Sequence, residues 1–352
     1  MNVTGLAELV LRNEVLAGAV EDARLGVVPA LDLTSPAALQ PFVVKGLVDA
    51  GRSVLAVAAT AREAEDLVTA LGGLMDPALV AEYPAWETLP HERLSPRSDT
   101  VGRRLAVLRR LRHPGSDPAN GPVKVVVAPV RSVLQPQVSG LADLEPVELS
   151  VGEEHDLEDV VRRLAGAAYS RVDMVEKRGE FAVRGGIVDV FPPTEEHPLR
   201  VEFFGDEVDE IRTFAVADQR SLEPVGRLWA PPCRELLLTD DVRKRAQELG
   251  HAHPELAELA EKLAEGHAVE GMESLAPALV DDMELLIDLM PDQTHVLVLD
   301  PERARTRAHD LVATSEEFLQ ASWAAAAGGG ESPIDLGKAS YKTLAEVRAI
   351  SL

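Results

Sequence analysis

Three short runs of the chain are almost free of polar side chains: Val54-Leu55-Ala56-Val57-Ala58, Val123-Lys124-Val125-Val126-Val127-Ala128-Pro129 and His295-Val296-Leu297-Val298-Leu299-Asp300. A strand with one face in water alternates polar and apolar residues; one without alternation is buried on both faces. Between the first two runs, Thr60-Ala61-Arg62-Glu63 is a capping-box sequence that opens a helix through about Leu71, and Gly72-Gly73 stops it. Buried strands separated by helices predict a parallel sheet with right-handed crossovers, hence an α/β domain.

The pattern changes near residue 146. A helical stretch around Leu157–Ala168 is followed by short alternating segments with glycine turns: Glu180–Arg184, Ile187–Phe191, Leu199–Phe204 and Ile211–Val216. Successive strands joined by tight turns predict an antiparallel sheet in a separate small α+β domain. Helices return from about residue 232. Ala324–Gly330, followed by Glu331-Ser332-Pro333, reads as a flexible linker, and the last twenty or so residues hold no complete element. No internal repeat is present.

At 352 residues the chain has room for two domains of ordinary size or three small ones. With 46% hydrophobic and 27% charged residues it is not a wholly disordered chain. Its 35 Lys and Arg stand against 59 Asp and Glu, a formal net charge of −24. Such a surface repels phosphate backbones and argues against a broad nucleic-acid footprint, but allows a local basic patch or a partner with a positive face. Cys233 is the one cysteine, which excludes an intramolecular disulfide and a thiolate zinc cluster. No apolar run reaches membrane-spanning length, and the start, Met1-Asn2-Val3-Thr4-Gly5-Leu6-Ala7-Glu8, lacks the basic region and apolar core of a signal peptide. A soluble, cytoplasmic protein with no membrane partner is expected.

An α/β chain of this kind invites a test for nucleotide binding. A phosphate-cradling loop needs glycines for close backbone approach and a Lys-Ser/Thr pair for phosphate and Mg²⁺. The loop before the first long helix, Leu31-Asp32-Leu33-Thr34-Ser35-Pro36-Ala37-Ala38-Leu39, has no glycine and no lysine, and its proline removes a donor. Lys45 lies too far downstream to substitute. A second ATPase element, Asp-Glu at the end of a buried strand, would hold Mg²⁺ and orient water. Here the strand ends Leu299-Asp300-Pro301-Glu302, with proline in the place of the catalytic carboxylate; Asp300 as a helix N-cap with Pro301 at the first helical position fits better. His251-Ala252-His253 has no convergent third ligand and reads as a solvated helix end, so no metal site is expected. Arg103, Arg104, Arg109, Arg110 and Arg112 cluster around Leu105, Leu108 and Leu111 and read as the solvated side of an amphipathic helix.

Leu199-Arg200-Val201-Glu202-Phe203-Phe204 is more informative. Side chains alternate across a strand, so Leu199, Val201 and Phe203 share one face and Arg200, Glu202 and Phe204 the other. A small sheet covers one face with its lone helix, which leaves the second set toward water. An exposed Phe beside an exposed Arg is the composition of a protein-binding hot spot. Alternation alone equally admits a Phe204 that folds back over the turn at Gly205-Asp206.

Several segments together resemble the Mfd family of bacterial transcription-repair coupling factors, and more distantly the excision-repair protein UvrB. They are Tyr83-Pro84-Ala85-Trp86-Glu87-Thr88-Leu89-Pro90 with Leu94-Ser95-Pro96, then Tyr169-Ser170-Arg171-Val172-Asp173, Gly179-Glu180-Phe181-Ala182-Val183-Arg184-Gly185-Gly186-Ile187-Val188-Asp189-Val190-Phe191-Pro192, and Leu199 through Asp209. The resemblance runs from about residue 20 to 320. It implies the N-terminal module of that family: a degenerate RecA-like (P-loop NTPase-like) parallel-sheet domain with an inserted small α+β domain. On this reading residues 1–145 are the first RecA-like part, 146–231 the insert, 232–322 the part that completes the RecA-like module, and 323–352 a linker and truncated segment. The family's insert binds the damage sensor UvrA in competition with UvrB, and the resemblance places that contact on Arg184, Arg200 and Phe204.

UvrB has intact nucleotide motifs in the corresponding half-domain. The loop Thr34, Ser35, Pro36, Ala37, Ala38, Leu39 and the pair Asp300-Pro301 match the degenerate kind instead. The resemblance therefore implies an adaptor without a bound cofactor. ATP and Mg²⁺ would belong to the motor of the full-length family member, an ATP-dependent translocase that displaces stalled RNA polymerase from double-stranded DNA through regions beyond this chain. The rival readings are a UvrB-like ATPase or helicase component acting on damaged DNA, and direct DNA binding through the Arg103–Arg112 helix. Neither accounts for the Arg200–Phe204 face.

Overall fold

The computed structural model describes residues 4–26, 30–89, 92–116, 121–327 and 341–351. Two helices, α1 (Thr4–Val10) and α2 (Glu14–Leu25), precede α3 (Gln40–Asp49), which runs into β1 (Val54–Ala58), buried at every position. Helix α4 (Ala61–Gly72) starts as its sequence demands. The Thr60 hydroxyl accepts from the Glu63 N–H while the Glu63 carboxylate accepts from the Thr60 N–H at 3.1 Å. There follow β2 (Val80–Glu82), α5 (Ser98–Arg112), β3 (Val125–Pro129), α6 (Val130–Leu134) and the short β4 (Gln137–Val138).

The chain then leaves this layer. β5 (Val147–Ser150), α7 (Leu157–Gly166) and β6 (Ser170–Arg171) lead to β7 (Glu180–Arg184), β8 (Ile187–Val190), β9 (Leu199–Phe204), β10 (Glu207–Phe214) and β11 (Ser221–Val225). β12 (Arg227–Ala230) returns antiparallel to β5, so the entering and leaving strands of this excursion lie side by side. The sheet order is β11-β10-β9-β8-β7-β6, antiparallel except for β6 against β7.

α8 (Asp240–Ala252), α9 (Ala257–Ala264), α10 (Ala276–Leu279), β13 (Met283–Glu284), β14 (His295–Val298), α11 (Pro301–Ala327) and α12 (Leu344–Ser351) complete the chain. β13 pairs with β4, and β14 adds to the first sheet, whose parallel order is β14-β1-β3-β2. Helices cover both of its faces. Val54, Ala56 and Ala58 pack with Val44, Leu47, Leu67 and Leu71 of α3 and α4; Leu55 and Val57 pack with Leu105, Leu108, Val133 and Leu311. The absence of alternation in β1 and β3 follows from this double coverage.

Four expectations change. β14, at the edge of its sheet, is not buried on both faces but leaves Val296 and Val298 exposed. Ala324–Ala327 continue α11 rather than opening a linker, because alanine has the highest helix propensity; Gly328–Pro333 lie outside the described residues, as do Met1–Val3. The last residues do hold an element. Thr343 and Glu346 form a reciprocal cap at the start of α12, and Tyr341 and Val347 join the main core. Arg104 is not on a solvated face but fully buried. Its guanidinium donates to Glu235 at 2.5 Å, to the Pro84 carbonyl at 2.9 Å and to Gln137 at 3.1 Å, and stacks 4.3 Å from the Tyr83 ring centroid. Trp86 Nε1 donates to the same Glu235 carboxylate at 3.0 Å. This hub ties the Tyr83–Trp86 segment and α5 to Glu235, in the segment that follows β12. Nearby, Gly102 on α5 lies so close to Pro193 of the insert that a Cβ would come within 2.6 Å of it.

Candidate partner-binding face

The antiparallel sheet has two unlike faces. Phe181, Val188, Val190, Leu199, Val201, Val208 and Ile211 point toward α7 and bury its Val160 and Leu164. Cross-strand partners define the other face: Arg184, Ile187, Glu202 and Glu210 form one row across β7 to β10, and Ala182, Asp189, Arg200 and Arg212 form the next. At one end of this face Val175, Ala182, Phe191 and Phe214 make a small core under the loops on either side. The other end, toward the β7–β8 and β9–β10 turns, is open. The first turn is held by Gly185 at φ +62° and by Gly186, where a Cβ would stand 3.0 Å from the Phe203 carbonyl oxygen.

Phe204 sits at this open end and is 81% exposed, so it does not fold back over the turn at Gly205-Asp206. Arg184 is half-exposed, with its Nη2 donating to Asp189 Oδ2 at 2.7 Å. Arg200 departs from the expectation of a free arginine. Its side chain is 16% exposed and makes a two-pronged contact with Asp189, Nε to Oδ1 at 2.7 Å and Nη2 to Oδ2 at 2.9 Å, and donates to the Gln219 carbonyl at 3.3 Å. Its guanidinium also stacks on Phe214, 4.7 Å from the ring centroid. Alternation placed Arg200 on the correct face; the loop carrying Gln219 then covers that part of it. The bond to Asp189 holds the Arg200 guanidinium above the usual arginine range.

The sequence reading missed three members of this face. Asp189, 1% exposed on its side chain, is the carboxylate both arginines share. Ile187, partly buried between Arg184 and Glu202, extends the apolar surface toward Phe204. Arg212 lies beside Arg200 and forms an ion pair with Glu210, N···O 2.6 Å. Each stands at an alternate position of a strand, so the period that found Arg200 also contained them. An open groove of about 600 Å³ adjoins the face, lined by Arg171, Val172, Asp173, Val183 and Arg184.

The loop Thr34–Leu39 is largely exposed and leads through a short 3₁₀ turn into α3. A strand-to-helix turn, Ala58-Ala59-Thr60-Ala61, lies between β1 and α4. A cavity of about 300 Å³ there is lined by Ala59, Thr60, Glu302, Arg303, Thr306, Arg307 and Asp310. The Glu63 N–H of this turn donates to the Thr60 hydroxyl, and the Glu63 carboxylate also pairs with Arg303. Asp300 accepts from the Arg303 N–H at 3.3 Å, which makes it the N-cap of α11. His253 contacts Glu255, and no His, Cys, Asp and Glu cluster able to hold a metal occurs among the described residues. Arg109 donates to the Leu144 carbonyl and Arg110 to the Gly121 carbonyl, so α5 offers no continuous basic face. No helix among the described residues is long and apolar enough to cross a membrane.

Residues 147–235 match the UvrB interaction domain family. Transcription-repair-coupling factors from Mycobacterium bovis and Mycobacterium tuberculosis are 49% identical over 99% of this chain. The one from Myxococcus xanthus is 33% identical over 78%, and the one from Bacillus subtilis 29% identical over 73%. The chain spans 29% of the length of the two mycobacterial relatives and 24% and 23% of the other two. With a UvrB interaction domain set into a parallel-sheet α/β body, the chain belongs to the transcription-repair-coupling factor family and represents its UvrB-like module.

Proposed function

We propose that this chain is a non-catalytic adaptor that binds UvrA through the Arg184–Phe204 face of its inserted domain. It thereby recruits the damage sensor to stalled RNA polymerase in transcription-coupled nucleotide excision repair. One observation supports this reading above the rest. Within the matched residues, a phenylalanine 81% exposed projects beside two arginines fixed on a buried carboxylate. An aromatic ring in water is an unfavourable arrangement for a free monomer, and becomes favourable when a partner pocket takes it up. Arg184 carries the adjacent positive charge into the contact, where an acidic group of the partner would be desolvated against it.

Recognition then needs no chemistry from this chain. Binding ATP and Mg²⁺, translocating on double-stranded DNA and displacing RNA polymerase are assigned in this proposal to regions outside these 352 residues. The test is a titration of fluorescently labelled UvrA with wild type and Phe204→Ala. Truncating an anchor of this kind weakens binding by about 2 kcal/mol or more, roughly thirtyfold. At 81% exposure the same change leaves the unfolding midpoint unmoved. Equal affinity for the two proteins would refute the assignment of the face.

A further inference from the structure

We infer that Asp189 is a positioning residue for partner binding: its buried carboxylate clamps Arg184 and Arg200 into one fixed pair of guanidinium groups. This rests on the adaptor reading and deepens it, because it states what sets the geometry of the basic half of the face.

Two guanidinium groups repel each other, and on an exposed sheet each would sample many rotamers. Here both are drawn onto one carboxylate that solvent barely reaches. Asp189 Oδ1 accepts from Arg200 Nε at 2.7 Å, and Oδ2 accepts from Arg200 Nη2 at 2.9 Å and from Arg184 Nη2 at 2.7 Å. The side chain of Asp189 is 1% exposed, against 52% for Arg184 and 16% for Arg200, so exposure rises outward from the clamp. Asp189 and Arg200 are direct cross-strand partners, whereas Arg184 comes from the next row. The carboxylate therefore ties two rows of the sheet together. The groups on the face around it are Glu202, Glu210 and Arg212; Glu210 is engaged by Arg212.

A fixed pair loses little freedom when a partner docks, which is how preorganisation raises affinity. It also offers a defined spacing between the two cations, so the partner must present its acceptors at a matching spacing. A planar fork holds such a register; an ammonium does not.

Asp189→Asn keeps shape and removes the charge, leaving one acceptor oxygen for two arginines. Titration against UvrA in the absence of denaturant is expected to show a ten- to thirtyfold weaker Kd for Asp189→Asn, with the urea midpoint also lowered because Arg200 loses its counter-charge. In an Arg184→Ala background the same exchange should weaken binding by no more than about threefold further, because half of what it positions is gone. The ¹⁵N–¹H signal of Arg200 Nε should be protected from solvent exchange in wild type and lose that protection in Asp189→Asn, with no partner present. Should Asp189→Asn unfold, Arg184→Lys carries the test. It keeps the charge and loses the fork, and is expected to bind about tenfold more weakly.

A Kd for Asp189→Asn or Arg184→Lys within twofold of wild type would overturn the positioning role. So would a full additional loss in the Arg184→Ala background, which marks a general structural effect. A wild-type chain that fails to bind UvrA while Arg200 Nε stays protected would sink the adaptor reading, and with it this role of Asp189, yet leave the clamp itself standing as a structural feature.

Discussion

Arg200→Ala is expected to destabilise the inserted domain, not merely to remove a contact with a partner. The arginine contributes two of the three hydrogen bonds to Asp189, whose side chain is 1% exposed. Removing one partner of a buried ion pair costs about 3–5 kcal/mol because the other charge stays behind without water. Two features reduce that figure here. Arg184 keeps its own bond to Asp189, and Arg200 is itself 16% exposed, so water can enter the space it leaves. Loss of stacking on Phe214 works the other way, by about 0.5–1 kcal/mol. The net expectation is about 2–4 kcal/mol. Urea unfolding followed through Trp229, on β12 of the same domain, would read it. With a slope of about 2 kcal/mol/M the midpoint falls by about 1–2 M. Pairing Arg200→Ala with Asp189→Asn should restore much of the loss, since the stranded charge is then gone. A midpoint shift under about 0.3 M would refute the reasoning, because it would mean that Asp189 is satisfied without Arg200. It follows that Phe204→Ala, and not Arg200→Ala, is the clean probe of partner binding.

Two further outcomes can be checked on the same protein. Arg104→Met should destabilise the chain by about 3–5 kcal/mol in urea titration, because it strands the Glu235 carboxylate among Trp86, Tyr83 and Gln137; Arg104→Met with Glu235→Leu should recover much of it. Cys233, 5% exposed and with its thiol pushed up to about 12 by burial, should react with a thiol reagent at pH 8 on the order of 10³ times more slowly in the folded chain than in urea, since only the thiolate attacks. Comparable rates in the two states would show that the thiol is neither buried nor protonated.

What could be read from the sequence was local. β1 and β3 announced themselves because double coverage leaves no polar position in a strand, and Thr60 and Glu63 announced α4 because their capping is reciprocal over four residues. Thr343 and Glu346 carry the same signal for α12, which lacks only a long apolar run behind it. Arg104 could not be read, because what permits its burial is Glu235, 131 residues along the chain. Arg200 fell between these cases. Its face was periodic and legible, whereas its cover comes from the loop around Gln219, which has no period to read.

The pairing of β12 with β5 has a thermodynamic consequence for the body of the protein. An unfolded excursion between β4 and α8 would charge the parallel-sheet body a closure entropy of roughly (3/2)RT ln n, about 4 kcal/mol for a loop of some ninety residues. When the insert is folded, its two ends emerge as hydrogen-bonded neighbours about 5 Å apart, and the body sees something close to an ordinary hairpin in that place. Folding of the excursion thus shortens the effective loop length of its host. The two units are coupled through chain connectivity as well as through Arg104, and a lesion confined to the outer sheet is felt by β1 and β3 without any side chain there having moved.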